Sequence, residues 1–418
     1  MNAKIDAAVA GGGAIGLACA FALAEAGRSV VLFDPEPGRG ASWGNAGGIT
    51  PGWVAPLATA ATLRGLPSML RDPLSPLAIR PAYLPRLLPW LARFAWSARR
   101  ADAVSRALAA LTLTSMADWA DLCARTGTSA LMRSQGLLYA YAARESRAAA
   151  ETAHAFRRAR GVRLEELDAA ALRRFAPMLS ERYVHAVYAP DAGHFADPGA
   201  LCDGLAAAFV AKGGRIERVL VDDVVSESSS LVVRTARGDW RADRFVLSAG
   251  AYSKPLAARL GAAVPLDVER GYHAMLPAPG IELPAQMIDG EGKSALTSMT
   301  GGLRLAGTVE FAGLDAPPDM RRAERLIANA KAMLPGLNAD SASLWMGFRP
   351  SLPDGLPVIG LAPADPRAIF AFGHAHLGVT LAAITARIVA ALADGRAPEV
   401  DLGPYRAERF GIWRKERT

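Results

Sequence analysis

The sequence predicts an α/β protein that begins with a Rossmann-like nucleotide-binding unit. Its 418 residues are enough for two or three domains. Hydrophobic residues make up 51% and charged residues 21% of the chain, so it can bury a large core and global disorder is excluded. A glycine-rich turn between an apolar run and a helical pattern near the N-terminus then points to the α/β class.

The N-terminal segment has the pattern of a strand, a phosphate-binding turn and a helix. Residues 5–10 form a short apolar run that is typical of a buried parallel strand. Gly11, Gly13 and Gly16 follow in a GxGxxG pattern. The first glycine allows a tight turn, the second lets the backbone approach a pyrophosphate, and the third lets the helix pack on the strand. Helical periodicity over residues 14–26 completes the unit.

An acidic residue closes the strand that follows. Residues 29–33 are strand-like, and Asp34 ends them, where a carboxylate can accept hydrogen bonds from ribose hydroxyls. The helix start at Ala14 and Ile15 supplies unpaired N–H groups and a positive dipole for phosphates. Asp34 disfavours NADP, because a 2′-phosphate prefers arginine. A glycine-rich turn of an ordinary α/β protein is the alternative interpretation.

A second glycine-rich loop favours FAD over NAD. Residues 38–48 read GRGASWGNAGG and follow the second strand without a helix of normal length between them. An NAD-binding domain usually continues with alternating strands and helices, whereas small residues here let the backbone lie against a large planar cofactor. The alternative interpretation is a surface loop.

Three further segments carry a family resemblance. They are VLSAGA at residues 246–251, WMGFRPSLPDGLPVIG at 345–360 and FGHAHLGVTLA at 372–382. With the N-terminal turn and the SWGNAGGI loop, they resemble the FAD-dependent D-amino-acid oxidase superfamily in order and spacing. Within it, the chain is most similar to bacterial D-amino-acid dehydrogenases, over residues 5–410.

The resemblance implies two domains. An FAD-binding domain would comprise the discontinuous segments 1–60, 191–260 and 340–418, and an α+β substrate-binding domain with a mixed sheet would comprise 61–190 and 261–339. The sequence patterns agree with this division. They predict helices at 143–159, within 165–177, and at 199–212, 319–333 and 379–393, and strand-like segments at 215–221, 231–235, 246–248, 264–275 and 303–311.

The resemblance also implies which residues bind FAD. Asn45 stands where covalently flavinylated relatives carry histidine, and none of the three cysteines lies in a linkage motif, so we expect non-covalent FAD. The expected FAD contacts are Gly11, Gly13, Ala14, Ile15, Gly16, Asp34, Ser42, Asn45, Ala46, Gly47, Gly48, Val224, Ala249, Gly250, Arg349, Gly373, His374, Leu377, Gly378, Val379 and Thr380.

Three residues are predicted to bind the substrate. Arg349 matches a carboxylate-binding arginine of the family, since a planar guanidinium pairs with a carboxylate through two hydrogen bonds; pairing with Asp354 is the alternative. Tyr272 would donate its hydroxyl to the same carboxylate, with plain packing as the alternative. His376 would contact flavin or substrate. A metal pair with His374 is disfavoured, because no further carboxylate or cysteine lies at ligand spacing, so no metal is predicted. His273, the neighbour of Tyr272, is expected to be structural, and no catalytic side chain is predicted.

The implied reaction is dehydrogenation of a D-amino acid, with hydride transfer from Cα to flavin N5. Residues 63–100 resemble most closely the branch that oxidises D-hydroxyproline, which favours a cyclic D-imino acid such as cis-4-hydroxy-D-proline. A broad D-amino-acid dehydrogenase and a flavoprotein subunit of an electron-transfer complex are the alternatives, and a glycine or sarcosine oxidase is disfavoured. The electron acceptor would be a quinone or a partner electron carrier.

The net charge of +7 is concentrated in one segment. Residues 41–101 contain seven arginines and one acid, a balance of +6: Arg64, Arg71, Arg80, Arg86, Arg93, Arg99, Arg100 and Asp72. The arginines alternate with Leu, Trp, Phe and Pro, a pattern that argues against nucleic acid and suits an amphipathic element at a membrane surface. The alternative is a substrate-domain excursion with its apolar residues inward.

The N-terminus shows no signal-peptide pattern, and no window approaches the ~20 apolar residues of a membrane span. Three widely separated cysteines suit a reducing compartment. We therefore expect a cytoplasmic protein that associates with the inner face of the membrane if the arginine-rich segment docks there. The sequence does not predict an oligomeric state.

Overall fold

The computed structural model describes residues 4–69 and 74–414, with the backbone alone for 67–69 and 412–414. Arg71 and Asp72 of the arginine-rich segment lie outside the described residues. The strands are β1 (Ile5–Ala10), β2 (Val30–Phe33), β3 (Gly48–Ile49), β4 (Leu77–Ile79), β5 (Met132–Arg133), β6 (Leu137–Tyr141), β7 (Glu165–Leu167), β8 (His185–Ala189), β9 (Gly193–Phe195), β10 (Arg215–Glu217), β11 (Asp223–Ser226), β12 (Leu231–Arg234), β13 (Trp240–Leu247), β14 (Asp267–Leu276), β15 (Gln286–Asp289), β16 (Ser294–Met299), β17 (Gly302–Phe311), β18 (Ser343–Ser351), β19 (Val358–Leu361) and β20 (Ala368–Phe372). The helices are α1 (Ala14–Glu25), α2 (Ala60–Met69), α3 (Leu84–Ser97), α4 (Ala101–Thr112), α5 (Ser115–Thr126), α6 (Arg144–Ala159), α7 (Ala169–Phe175), α8 (Pro198–Ala211), α9 (Ser253–Arg259), α10 (Arg321–Met333) and α11 (Gly378–Ala393).

The first sheet has a parallel centre, as a nucleotide-binding domain requires. Its strand order is β10-β2-β1-β13-β12-β11, and β20 adds to the end of β13. Strand β1 runs parallel to both β2 and β13, and β20 is also parallel to β13. Helices α1, α8 and α11 pack together beside this sheet, and their small and branched side chains form one continuous core. The predicted α/β class is confirmed.

Helix α11 is the central core helix. The stretch Ala375–Ala393, which includes it, is long and apolar enough by composition to cross a bilayer, but most of it is buried inside the protein. Its neighbours are α1 and α5, and the indole of Trp119 in α5 donates to the Val379 carbonyl at 2.8 Å. Its apolar character therefore belongs to the packed interior.

The second sheet is mixed, as the resemblance implied. Its order is β18-β14-β17-β16-β15-β6-β8-β7, with β4 beside β17. The β14–β18 and β14–β17 pairs are antiparallel, whereas β6 runs parallel to β15. Strand β18 lies in this sheet although it follows residue 340, where the last FAD-binding segment is predicted to begin. A third sheet, β3-β9-β5, lies beside the second glycine-rich loop.

Most predicted elements agree with the structure to within a few residues. Two differ in extent: β13 begins six residues before the predicted 246–248, and the 165–177 segment holds the short strand β7 as well as α7. Helices α3, α4 and α5 were not predicted. Pro85 and Pro89 lie within α3, and a proline inside a segment disfavours the prediction of a helix there.

Candidate active site

The phosphate-binding turn is closed so tightly that two of its glycines cannot be replaced. Gly11 has φ +101°, and a Cβ there would lie 2.4 Å from the Ser248 carbonyl oxygen. A Cβ on Gly16 would lie 1.8 Å from the Gly11 carbonyl oxygen. The backbone of the turn is therefore in direct contact with the end of strand β13 and with helix α1, as the glycine pattern predicts.

The start of α1 offers free donors. The Ala14 N–H donates to Ser42 Oγ at 3.0 Å, whereas the Ile15 and Gly16 N–H groups have no acceptor among the described residues. A Cβ on Gly13 would meet only Ser42 Oγ, at 3.2 Å, so the space in front of the turn is open. Free N–H groups, an open backbone and a helix N-terminus fit a pyrophosphate.

Asp34 shapes the same turn from the end of β2. One carboxylate oxygen accepts from the Gly12 N–H at 2.6 Å, and the other from the Glu36 N–H at 2.8 Å. Its side chain is only half-buried, so acceptor positions remain beside the turn. This is where a ribose would lie if a dinucleotide placed its pyrophosphate on α1.

The other predicted FAD contacts are distributed over four places. Ala249 and Gly250 follow β13, where Ser248 Oγ donates to the Ala10 carbonyl at 2.9 Å. Val224 lies in the outer strand β11, buried against the first sheet's core. The remaining residues belong to the loop that leads from β2 into β3 and to the segment that leads from β20 into the first turn of α11: Ser42, Asn45, Ala46, Gly47, Gly48, Gly373, His374, Leu377, Gly378, Val379 and Thr380.

Those last two segments are joined by hydrogen bonds. Thr380 Oγ1 donates to the Gly48 carbonyl at 3.0 Å, so α11 begins against the glycine-rich loop. Asn45 Oδ1 accepts from the Gly47 N–H at 2.8 Å and stabilises the loop's own turn. Side chains of the second sheet hold the loop from the other side. These side chains are His273, Gln286, Thr297 and Arg304.

Arg349 lies across the second sheet on the face that meets this loop. Its guanidinium donates to the Thr308 carbonyl at 2.8 Å, and a Cβ on Gly271 would lie 2.3 Å from its Cζ. It makes no ion pair among the described residues. Burial lowers the pKa of Arg349, and the charge of Glu269 opposes that shift. The alternative pairing with Asp354 is wrong, because Asp354 binds Arg409 at 2.8 Å.

His376 is a neutral side chain beside Arg349. Burial, helped by the Arg349 charge, lowers the pKa of His376 to about 4. Its Nε2 is buried with no hydrogen-bond partner among the described residues. Its ring centroid lies 4.6 Å from that of Trp53 in a T-shaped contact. His374 points elsewhere, because its Nε2 lies 3.2 Å from Thr385 Oγ1 inside the core. The two histidines therefore do not converge.

Tyr272 lies on the opposite face of the sheet from Arg349. Its hydroxyl donates to Glu310 at 2.5 Å and accepts from the Asp319 N–H at 3.1 Å. The hydroxyl that was predicted to bind a substrate carboxylate is thus already paired and buried, and we leave Tyr272 out of the proposed site. His273, expected to be structural, is the neighbour that faces the loop.

Aromatic rings line the space around Arg349 and the loop. Trp345 stacks on His273 with centroids 4.9 Å apart and lies 5.9 Å from Trp43. A Cβ on Gly44 would lie 2.0 Å from the Trp345 ring, so this glycine lets the indole lie against the loop. A half-buried guanidinium, a neutral imidazole and indole walls suit a small organic anion held beside a planar cofactor.

Sequence reasoning missed the residues that hold the loop. The four side chains from the second sheet lie in ordinary strand patterns, and only the loop's position in the structure shows what they bind. The one available signal was Arg304, a charged residue within the apolar run of β17, because a charge at a core-facing position implies a buried partner.

Comparisons with known proteins show the family to which the sequence is related. The sequence profile of the "FAD dependent oxidoreductase" family, DAO, matches residues 6–392. A D-amino-acid oxidase from Bradyrhizobium diazoefficiens is 37% identical over 414 residues, 96% of this chain and 98% of that protein. A D-amino acid dehydrogenase from Methylobacterium radiotolerans is 32% identical, covering 94% of this chain and 96% of that protein.

Solved structures support the fold. Glycine oxidase from Geobacillus kaustophilus superposes with a TM-score of 0.75 at 24% identity, covering 98% of this chain and 99% of that one. L-proline dehydrogenase from P. horikoshii gives a TM-score of 0.75 at 17% identity, covering 99% of both chains. At these identities the likeness concerns the fold alone.

Proposed function

The chain belongs to the DAO family of FAD-dependent oxidoreductases, and from that premise we propose that it dehydrogenates D-amino acids at the Cα–N bond. The observation that carries the proposal is Arg349: a half-buried guanidinium with no ion pair among the described residues, on the face that meets the glycine-rich loop. A desolvated cation is costly when its neighbouring acid, Glu269, forms no ion pair with it, and a substrate carboxylate would supply a direct ion-pair partner. Relatives named D-amino-acid oxidase and D-amino acid dehydrogenase support the D configuration.

The residues of this chain bind and orient the substrate. Arg349 would fix the carboxylate through its planar fork, which limits the orientation of the attached Cα. His376, neutral at pH 7, would offer a polar atom to the substrate without adding charge. Bound FAD would supply the two-electron acceptor for the hydride that leaves Cα, and the lone pair of the amino nitrogen would form the C=N bond. Water would then hydrolyse the imine to an oxo acid and ammonia, or a cyclic imine would persist.

Within this class we propose a cyclic D-imino acid, with cis-4-hydroxy-D-proline as the favoured substrate. The similarity of residues 63–100 to the hydroxyproline-oxidising branch supports this choice. The indole-lined site also supports it, because a compact ring can pack on Trp345 or Trp53 while its carboxylate reaches Arg349.

Anaerobic flavin reduction tests the proposal. Purified protein is mixed with matched D and L isomers, the hydroxyproline stereoisomers and glycine, and bleaching of the flavin absorbance is followed. We expect D isomers to bleach the flavin, with cis-4-hydroxy-D-proline giving the largest rate per unit concentration. Bleaching by L isomers alone would contradict the proposed stereochemistry. No bleaching by any amine would favour the alternative of an electron-transfer subunit.

Replacing Asp34 with Ala is expected to weaken FAD binding about 10-fold to 150-fold, because a hydrogen bond to a charged group contributes ~1.5–3 kcal/mol. The structure adds a reason, since the carboxylate also accepts from the Gly12 N–H of the turn. The measurement is the FAD retained through dilution and dialysis. Retention equal to that of the wild type would show that Asp34 does not bind the cofactor.

We further propose that α3 rests on an anionic membrane surface, where a quinone would accept the electrons. The buried face of α3 packs Leu87 and Trp90 on Phe311. Its outer face keeps Leu84, Leu88 and Trp96 40%, 55% and 48% exposed. An apolar outer face beside basic residues is typical of a helix that lies in a lipid interface.

The arginines around α3 support this proposal because they make no ion pairs among the described residues. Arg86, Arg93, Arg99 and Arg100 make no ion pairs among the described residues, whereas Arg106 and Arg125 on the next two helices pair with Asp102 and Asp121. Unpaired cations complement anionic lipid. The C-terminal end of α3 is also close to the site, because Ser97 Oγ donates to the Pro353 carbonyl at 3.2 Å in the loop after β18.

Replacing the four unpaired arginines with Gln is expected to release the protein from anionic vesicles and to leave turnover with a soluble dye unchanged. Removing four charges at about 1 kcal/mol each would lower vesicle binding by two to three orders of magnitude at low salt. The matched control replaces four arginines on the first sheet and α9: Arg234, Arg237, Arg241 and Arg259. Wild-type protein that does not co-sediment with such vesicles would overturn the proposal.

A further inference from the structure

The loop between β2 and β3 is held by its carbonyl groups. Arg304 donates to the Trp43 carbonyl at 2.9 Å and to the Asn45 carbonyl at 2.7 Å. His273 Nδ1 lies 3.0 Å from the Gly44 carbonyl oxygen. Because a carbonyl only accepts, this nitrogen carries the proton.

Two further side chains complete the arrangement at Ala46. Gln286 Nε2 and Thr297 Oγ1 donate to the Ala46 carbonyl at 3.0 Å and 2.9 Å. Four successive carbonyls, from Trp43 to Ala46, thus receive donors from the four strands β14 to β17. All four donor side chains are more than nine-tenths buried. We name the set of donors the carbonyl clamp: His273, Gln286, Thr297 and Arg304.

The next two carbonyls of the loop are also occupied. The Phe195 N–H donates to the Gly47 carbonyl at 2.8 Å, and Thr380 Oγ1 to that of Gly48 at 3.0 Å. The Ala46 N–H, in contrast, has no acceptor among the described residues. Because protein donors already occupy the loop's carbonyl groups, its backbone N–H groups are the polar groups that remain available to bind a ligand. The flavin ring's N5 and O4 are acceptors, so the polarity of the loop matches them.

Arg304 differs from the other members because it brings a charge. Its guanidinium is buried, has no ion pair among the described residues, and its Nε is buried without a partner. Burial lowers the pKa of Arg304 to about 10, so it remains a cation at neutral pH. The second sheet therefore places a positive charge beneath the loop that is predicted to contact FAD.

We propose that the carbonyl clamp is a cofactor-positioning device, through which the second sheet sets the orientation of the flavin-facing loop and Arg304 favours the reduced, more negative form of the flavin. Arg304 acts through the loop and is a positioning residue. The proposal rests on FAD binding and not on the identity of the substrate, so it stands or falls separately from D-amino-acid oxidation.

The test compares FAD release from the holoenzyme and the flavin's reduction potential in three variants. We expect Arg304→Met to weaken FAD binding about 10-fold to 150-fold. If the substitution weakens the binding of reduced FAD ten times more than that of oxidised FAD, the reduction potential of the bound flavin becomes about 30 mV more negative. Arg304→Lys keeps the positive charge but loses the planar guanidinium. Its flavin reduction potential should therefore be close to the wild-type value, whereas its FAD affinity should lie between those of the wild type and Arg304→Met.

Arg173→Met is the matched control. Arg173 also donates to main-chain carbonyls, those of Ser180 and Tyr183, but it belongs to α7, away from the loop. It should lower Tm without changing FAD affinity or potential. If Arg304→Met does not fold, Thr297→Val, which removes one donor at nearly constant volume, is expected to weaken FAD binding ~2-fold to 12-fold. The proposal would be overturned if the clamp variants kept the FAD affinity and the reduction potential of the wild type. It would also be overturned if Arg173→Met lost as much FAD as Arg304→Met.

Discussion

Replacing Arg349 with Leu is expected to lower the rate constant for flavin reduction per unit substrate by about 30-fold to several thousand-fold. Truncating one partner of a buried charge pair costs ~2–5 kcal/mol, much of it from the partner that is left unpaired. The loss arises when a carboxylate enters the site and finds no counter-ion. FAD content should largely hold, because Arg349 is only one of many expected FAD contacts and most of the others lie on the phosphate-binding turn, the glycine-rich loop and the start of α11. Stopped-flow reduction under anaerobic conditions measures the effect.

Two comparisons identify the carboxylate as the cause. Arg349→Lys keeps the charge but loses the planar fork, so it should recover only part of the rate. An amine without a carboxylate should react poorly with the wild type and be little affected by Arg349→Leu. Equal losses for both kinds of substrate would mean that Arg349 does not bind the carboxylate.

Asp354→Asn supplies the structural control. In the sequence, Asp354 was the rival partner of Arg349, but its carboxylate binds Arg409 at 2.8 Å and 3.2 Å. We therefore expect Asp354→Asn to lower Tm by loosening the C-terminal segment and to leave the preference for carboxylate-bearing substrates intact. If Asp354→Asn lowered the rate constant for flavin reduction as much as Arg349→Leu does, the interpretation that Arg349 acts through Asp354 would be restored.

The first sheet was predictable because its signals are local. The strand, the glycine turn and the helix occupy consecutive residues, and Gly11 and Gly16 are required by contacts within that unit and with β13. The unpredicted helix α3 shows the opposite case. It contains Pro89, and burial of Leu87 and Trp90 against Phe311, which is distant in sequence, stabilises it in spite of the proline.

The substrate side of the site was predictable only in part, because it depends on which face of a strand meets the loop. Tyr272 and His273 are adjacent, so one must point toward the loop and the other away from it. The hydroxyl of Tyr272 made it the predicted substrate ligand. The pairing of β14 with β18, however, places His273 on the same face as Trp345 and Arg349. This register depends on strands far apart in the chain, and no local pattern reveals it.

Replacing Gly16 with Ala is expected to remove FAD from the purified protein. The added Cβ would lie 1.8 Å from the Gly11 carbonyl oxygen and 2.7 Å from Ser248 Oγ. The first of these is a backbone atom, so the clash is relieved only if α1 moves away from the turn. Such overpacking costs typically ~1–3 kcal/mol and occasionally more, which at the upper end is about a 150-fold loss of affinity. The measurement is flavin per chain after dialysis.

Gly40→Ala is the matched control for this substitution. Gly40 lies in the following glycine-rich loop, and a Cβ there would meet nothing within 4 Å. The same chemical change should therefore leave flavin content unchanged at Gly40 and eliminate it at Gly16. A lower Tm of the Gly16 variant that does not recover on adding excess FAD would agree with a displaced α1. Stoichiometric FAD in both variants would mean that α1 does not hold the pyrophosphate against this turn, and the proposed position of the cofactor would have to be abandoned.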